Sequence, residues 1–456
     1  MTTRARTSDP TSNRRARDWT RDCGARRPGL HAGAAAAAQT PGSTQRRAAG
    51  VCAAAGLLLL LAATASADGA LRLSDVVETA RQQSPLLEAA RQRAKAAATM
   101  PAQVSTWDDP VVSHEAWNFP DSFDIGRADN NIIKLSQKIP FPGKRTTAGQ
   151  VAARSADVAA HEADTVERDL VAAVERAYAD LWRAHEELAV MRRQRALAER
   201  VAHLSEQRYA TNQAAQADVL RTHVEVTHMT NLEQTGTLAI DAARAELNTL
   251  LGRDPSEPLG VPERPPVVHL PATPDALVAR ALAGRPEVAG QSAAIAREET
   301  SLKLAKLAYL PDLEVSASRF LNYGQHDGFG AMLAVSVPIV HKARYDAGVG
   351  EVEARLAAER AERRRLEDRI RSEVTQAFLR LRTAHLQHEL LESTHVPQAE
   401  QALNVTETAY RSGSLDVLAL LDSLRALEAV HLEHVQAGAD MAKAAADLER
   451  AVGGEL

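Results

Sequence analysis

The sequence predicts a mainly α-helical chain that carries membrane β-strands: long coiled-coil helices joined to a sheet that only several copies together can close into a barrel. Three observations lead there. The chain of 456 residues is internally duplicated, its halves offset by about 200 positions. Residues 150–211 hold no Pro and no Gly, a run too long for a helix of a compact domain. Four segments of about ten residues alternate apolar and polar side chains instead of following a helical period. Composition agrees: aromatic residues are 4% of the chain, a bias toward helices packed through small residues and away from a large globular core.

Residues 1–67 read as an N-terminal extension and signal peptide. An Arg-rich stretch without periodicity ends at Arg46-Arg47, the apolar run Ala48–Ala63 follows, and Ala65-Ser66-Ala67 supplies small residues for cleavage after Ala67. The run is too short for an ordinary membrane-spanning helix. Its removal takes away ten Arg and three Asp, leaving a chain more acidic than the whole, whose formal charge is −5. An acidic surface argues against nucleic acid as a partner. Both cysteines, Cys23 and Cys52, fall in the removed part, which excludes disulfides and thiol metal ligands downstream. No later segment approaches 18 consecutive apolar residues, so a membrane crossing must be made with strands.

The duplication organises the rest. Val174, Ala177, Tyr178, Leu181, Ala184 and His185 return as Val374, Ala377, Phe378, Leu381, Ala384 and His385, an offset of 200. After one inserted residue, Tyr209, Ala245, Leu247 and Gly252 return as Tyr410, Ala446, Leu448 and Gly453, and Ser84-Pro85 is matched by Arg285-Pro286. Each repeat, 68–251 and 275–456, reads helix, two strands, long helix, turn, helix. Between them, 252–274 holds Pro255, Pro258, Pro262, Pro265, Pro266, Pro271 and Pro274, so this stretch is an extended linker lying across other elements. A heptad seam, Leu170, Val174, Ala177, Leu181, Ala184, Leu188 and Met191, recurs as Ile370, Val374, Ala377, Leu381 and Ala384 and predicts close coiled-coil packing. Tight turns at 209–213 and 410–414 return the chain into shorter helices, 214–251 and 415–452, with Gly413 and Asn212 as the residues suited to the turn.

The predicted strands are 110–119, 131–141, 313–323 and 329–339. Ile133, Leu135, Ile139 and Phe141 oppose Lys134, Ser136 and Lys138; Leu313, Val315, Ala317, Leu321 and Tyr323 oppose Glu314, Ser316, Ser318 and Asn322. Phe329, Ala331, Leu333, Val335, Val337 and Ile339 share a face, and Trp117 and Phe119 are candidate interface aromatics. Ten residues suit a tilted transmembrane strand. Four strands cannot close a barrel and an open edge is not tolerated in lipid, so copies must share one; three copies give twelve strands, wide enough for a pore.

This pattern resembles the TolC-type outer-membrane efflux proteins over essentially all of residues 70–453. The residues that carry the likeness are the duplicated halves, the stretch Leu135-Ser136-Gln137-Lys138-Ile139-Pro140-Phe141-Pro142-Gly143-Lys144-Arg145, and Tyr410-Arg411-Ser412-Gly413-Ser414-Leu415-Asp416-Val417-Leu418 at a helical hairpin. The Pro-Phe-Pro-Gly-Lys-Arg run looks most like the heavy-metal-efflux branch, the CzcC and CusC kind. The resemblance implies a homotrimer with a 12-stranded β-barrel, four strands per protomer, in the outer membrane, and an α-helical coiled-coil barrel in the periplasm. It implies a passive channel docked through a periplasmic membrane-fusion adaptor onto an inner-membrane resistance-nodulation-division pump, with no cofactor. Drug or dye efflux and type I protein secretion use the same fold; a periplasmic coiled-coil scaffold without a pore is the reading from another class.

In the family, two Asp three positions apart ring the aperture at the helical tips. Aligned on Gly413 they fall at Ala419 and Asp422, so this chain keeps the second, with Asp416 one turn earlier as the substitute for the first and Asp218 at the first hairpin. A ring of carboxylates concentrates cations; equally, Asp416 and Asp218 suit helix N-termini. Tyr209, Asn212, Gln213, Tyr410, Gly413 and Ser414 are the adaptor-contact candidates, though the first hairpin lacks the family's glycine. His385/His388 and His431/His434 are spaced i,i+3, which puts each pair on one helix face, but no third metal ligand is evident and interior histidines are the expectation. Arg363-Arg364-Arg365 and Arg192-Arg193 read as salt-bridged helix faces. The sequence has no phosphate loop at Gly143-Lys144, no His-Glu-x-x-His and no Gly-x-Ser-x-Gly, and so no catalytic constellation.

Overall fold

A computed structural model describes residues 70–118, 128–266, 273–322, 326–338 and 340–456. The expected signal segment, and Phe119, Tyr323 and Ile339, lie outside the described residues. The two repeats form a single compact unit. The first is α1 (Leu73–Gln83), α2 (Pro85–Ser105), β1 (Val111–Trp117), β2 (Asn130–Ile139), α3 (Lys144–Ala210) and α4 (Gln216–Leu251). The second is α5 (Pro274–Gly284), α6 (Pro286–Leu307), β3 (Leu313–Asn322), β4 (Gly328–Val335), α7 (Lys342–Leu390), a π turn (Leu391–His395), α8 (Val396–Ser412) and α9 (Val417–Val452). Among the described residues no helix is long and apolar enough to cross a membrane.

The duplication is reproduced in the packing. One apolar cluster joins Val76, Ala80, Leu87, Leu170, Val174, Ala177, Tyr178, Leu181, Leu247 and Leu251. A second joins Leu277, Ala281, Val288, Ile370, Val374, Ala377, Phe378, Leu381, Leu448 and Val452, each 200 or 201 positions on. The heptad seam is therefore the core of each repeat, and of its first-half residues only Met191 stays half-buried. The junctions match as well. Pro85 and Pro286 each open a helix at its first turn, where the missing N–H costs nothing. Gly252 (φ 74°) and Gly453 (φ 85°) end α4 and α9 beside those junctions, and a Cβ on Gly252 would lie 2.6 Å from Pro85 Cδ.

The one inserted residue between the repeats has a structural counterpart. α3 runs unbroken for 67 residues, about 100 Å, whereas the equivalent rod is interrupted by the π turn at 391–395. The offset is 200 at His385 and 201 at Tyr410, so the extra residue falls where the helix widens by one residue per turn. Pro397, just beyond, cannot donate to the helical ladder.

Residues 261–263 run beside Leu71 at the start of the first repeat. Leu71 N–H donates to Val261 O at 2.8 Å and Glu263 N–H to Leu71 O at 3.0 Å. The buried Tyr178 hydroxyl lies 2.7 Å from Leu71 O and 2.8 Å from Glu263 O.

The four strands form one antiparallel sheet in chain order, β1-β2-β3-β4, so β2 of the first repeat pairs with β3 of the second. Register puts His114, Ile133, Arg319 and Phe329 in one row and Val112, Leu135, Ala317 and Ala331 in the next. Opposed residues share a face, so the apolar faces expected for β2, β3 and β4 are one continuous face, and Lys134, Ser136, Lys138, Glu314, Ser316 and Ser318 line the other. Two expectations are corrected. β4 ends at Val335, before Pro338, so Val337 is not in the strand. Trp117 pairs with Asn130 and so falls on the polar side, because Val112, His114 and Ala116 occupy the apolar side of β1.

Candidate functional site

The helical tips are built from one turn used twice. At the first, Asn212 N–H donates to Tyr209 O (3.0 Å) and Gln213 N–H to Arg208 O (2.8 Å); at the second, Gly413 N–H donates to Tyr410 O (3.0 Å) and Ser414 N–H to Ala409 O (2.9 Å). Both are the paired closure that ends a helix with a left-handed residue. Asn212 (φ 57°) does in the first hairpin what Gly413 (φ 80°) does in the second, which explains how the first tip forms without glycine.

Asp416 is the N-cap of α9, its carboxylate accepting from Ala419 N–H at 3.0 Å. Asp218, in the first turn of α4, accepts from Ala215 N–H at 3.3 Å and lies 3.4 Å from Arg221. Asp422 is exposed, 3.9 Å from Arg425. Asp416 and Asp218 are thus engaged in ending the turns, and Asp422 is the carboxylate of the three that projects freely.

Of the six tip residues, Tyr209, Asn212, Gln213, Gly413 and Ser414 are exposed, and Tyr410 is not. At 2% exposure its ring is enclosed between the hairpins, with the Arg208 guanidinium 4.5 Å above it. Tyr410 therefore offers no surface to a docking protein; an apolar ring that can be covered by a cation and by neighbouring leucines stays inside. Its repeat partner Tyr209 points outward.

Three residues that sequence reasoning passed over join the two hairpins. Arg208 donates to Tyr410 O of the second hairpin and, at 3.2 Å, to Gln213 O of the first. About two and a half turns from the tips, Arg425 of α9 grips Glu225 of α4: Nη2 donates to Oε2 at 2.6 Å and Nε reaches both oxygens at 3.1–3.2 Å. Glu225 is 2% exposed at its side chain and Arg425 53%. The signal was present as breaks in the repeat: the positions 201 away carry Ala409, Ala426 and Val224.

The corner between sheet and rods is a structural joint. Gly143 (φ 99°) turns the chain into α3, Lys144 Nζ donates to Asp312 Oδ1 (2.8 Å) and Leu310 O (2.7 Å), and Arg145 stacks 4.1 Å over Trp107. The arginine runs are ion-paired as expected, Arg363 with Glu367 at 3.0 Å and Arg192 with Glu233 at 3.1 Å.

The described fold is a four-stranded sheet with an apolar and a polar face, set at the end of paired helical rods. The family model described as outer membrane efflux protein matches residues 277–454, the second repeat. The chain is 27% identical over 358 residues to the pyoverdine export outer membrane protein OpmQ of Pseudomonas aeruginosa, a match covering 73% of this chain and 70% of that protein. Its fold is similar to the solved structure of CusC (TM-score 0.72, 14% identity, 84% of this chain and 92% of that one). It is similar also to the outer-membrane channel OprN (0.70, 19%, 84% and 90%) and to VceC from Vibrio cholerae (0.68, 18%, 84% and 96%). The family model matches the second repeat and the solved structures share the fold; outer membrane efflux proteins are channels rather than enzymes.

Proposed function

We propose that the chain is one protomer of a homotrimeric outer-membrane channel that passively conducts heavy-metal cations outward from a periplasmic adaptor and an inner-membrane resistance-nodulation-division pump. The observation that carries the channel reading is the sheet: a single register puts the alternating apolar residues of β2, β3 and β4 on one face, while β1 and β4 remain edges. Such edges cannot stand in lipid, and three copies supply the twelve strands of a barrel whose polar face lines a pore. The helical rods extend the duct through the periplasm. The exposed tip residues meet the adaptor, and Asp422, with Asp416 and Asp218 near it, gives the aperture its negative charge. The Pro-Phe-Pro-Gly-Lys-Arg corner supports the metal cargo. A second reading, export of pyoverdine or a compound like it, is favoured by the 27% identity to a pyoverdine export outer membrane protein.

Two measurements test this. Detergent-solubilised protein should run as a trimer by light scattering and conduct ions in planar bilayers; a monomer without conductance would discard the channel. A deletion strain should lose tolerance to one or two of Zn²⁺, Co²⁺, Cd²⁺, Cu⁺ and Ag⁺. Unchanged metal tolerance with loss of pyoverdine or dye export would replace the cargo and keep the channel.

A further inference from the structure

The two histidine pairs that share helix faces in the sequence are re-sorted by the fold. His388 of α7 and His434 of α9 stack face to face, ring centroids 4.8 Å apart and planes within 4°. Glu392, in the π turn, lies beside them with Oε2 3.8 Å from His388 Nε2. One ligand atom from each of the three falls within 4.8 Å of the others: Glu392 stands one turn from His388 along the same rod, and tertiary packing brings His434 of α9 to them.

The state of the rings follows from their partners. His388 is only 6% exposed, and its Nε2 lies 3.1 Å from Arg264 Nη2 on the linker strap. A guanidinium can only donate, so Nε2 is the acceptor, and the imidazole is neutral with its proton on Nδ1. His388 Nδ1 and His434 Nε2 are both buried and have no hydrogen-bond partner. A neutral imidazole is the form that ligates metal, and on His388 its lone pair is at Nε2, where Arg264 donates to it.

The surroundings also fit a ligand. Gly438 lets the Trp182 ring approach closely, since a Cβ there would lie 3.1 Å from it. A cavity of about 370 Å³ opens onto His388 and His434 and is lined by Trp182, Arg193, Arg264 and His431 as well. The site sits on the π turn, at the one inserted residue, and the first-repeat positions equivalent to His388 and His434 are Leu188 and Glu233. It is therefore a feature of the second repeat alone, at a helix irregularity of the kind often found at functional sites.

We propose that His388, Glu392 and His434 form a resident site for a divalent transition cation of the zinc class, with water from the cavity as fourth ligand. The proposal does not depend on the cargo. Tetrahedral bonds of about 2.0–2.1 Å need ligand edges of roughly 3.3 Å, so the donors close in by about 1 Å, and one imidazole turns out of the parallel stack, because the in-plane lone pairs of parallel rings do not converge on one ion. Glu392, 58% exposed, is free to make most of that movement. In the metal-free form Arg264 places its positive charge on the same nitrogen that the cation would take. Binding therefore releases Arg264, and with it one tie of the strap to α7.

The test uses full-length, tag-free protein in detergent, stripped with chelator and titrated with Zn²⁺ alone against a chromogenic competitor. One Zn²⁺ per protomer is expected. Glu392→Gln should weaken binding about tenfold, and His388→Gln with His434→Gln should remove it while the helical circular dichroism stays unchanged. Arg264→Gln should tighten binding, because it removes the competing cation. Co²⁺ added to the unaltered protein should give the intense visible bands of a tetrahedral site, a readout that needs no variant to fold. Absence of both stoichiometric Zn²⁺ binding and those bands, or binding that survives the double histidine substitution, would overturn the proposal.

Discussion

The Glu225–Arg425 pair offers the sharpest perturbation of the helical tips. It joins α4 to α9 between the two hairpins, with the carboxylate enclosed and the guanidinium half in water. Exposed pairs contribute about 0.2–1 kcal/mol, and removing one partner of a buried pair costs about 3–5 kcal/mol. A one-sided burial of this kind places the coupling near 1.5 kcal/mol. If the pair is made only when the hairpins lie together, breaking it shifts the ratio of open to closed tips by about tenfold. Arg425→Ala should act more strongly than Glu225→Gln, because it leaves a buried carboxylate without a partner, whereas the amide removes the charge. The assay is open probability of purified channels in planar bilayers, read as a double-mutant cycle. The reversed pair, Glu225→Arg with Arg425→Glu, should restore most of the closed fraction. A coupling below about 0.3 kcal/mol, or an amide variant that opens the channel more than the alanine one, would refute the reasoning.

Three further outcomes follow from the geometry. Leu333→Arg, on the apolar face opposite Val315, should abolish membrane assembly, a cost of about 2–4 kcal/mol at mid-bilayer, whereas Met332→Arg, next to it but opposite Ser316, should assemble; heat-modifiable trimer on gels distinguishes them, and equal behaviour would dismiss the assigned faces. Gly252→Ala forces a side chain onto a left-handed residue against Pro85 Cδ and Gln83 O (2.8 Å) and should lower the melting temperature, whereas Gly284→Ala, with open space around it in α5, should not. Burial, and then the Glu449 carboxylate, push Glu175 up to about 7 from 4.5. A raised carboxyl favours the protonated fold, so its contribution is full below about pH 4.5 and is lost as pH rises through 7. Glu175→Gln should therefore leave stability at pH 4 unchanged and raise it at pH 8 by about 3 kcal/mol, seen in thermal melts at the two values; an equal effect at both would contradict the assignment.

Much of this molecule is local, and what is local could be read. The heptad from Leu170 to Leu188 and its copy from Ile370 to Ala384 specify helices by side-chain period alone, and both seams are buried. Alternation along β2 and β3 specifies which residues share a face before any partner strand is known, because successive strand side chains point to opposite sides. Prolines at 255–266 rule out helix, and Asn212 and Gly413 announce left-handed turns.

What the tertiary structure decided is everything that depends on which helices meet. Tyr209 and Tyr410 are equivalent in the repeat, yet one faces solvent and the other lies under Arg208, since the hairpins pack with a single interior. His388 and His434 are 46 positions apart and belong to different i,i+3 pairs, and only the crossing of α7 with α9 stacks them. Arg208, Glu225 and Arg425 look like ordinary surface charges along their own helices. They acquire roles from neighbours more than 190 residues away, a distance over which periodicity carries no information. The duplicated sequence determined two like halves by itself; the fold, by packing one against the other, made their equivalent residues unlike.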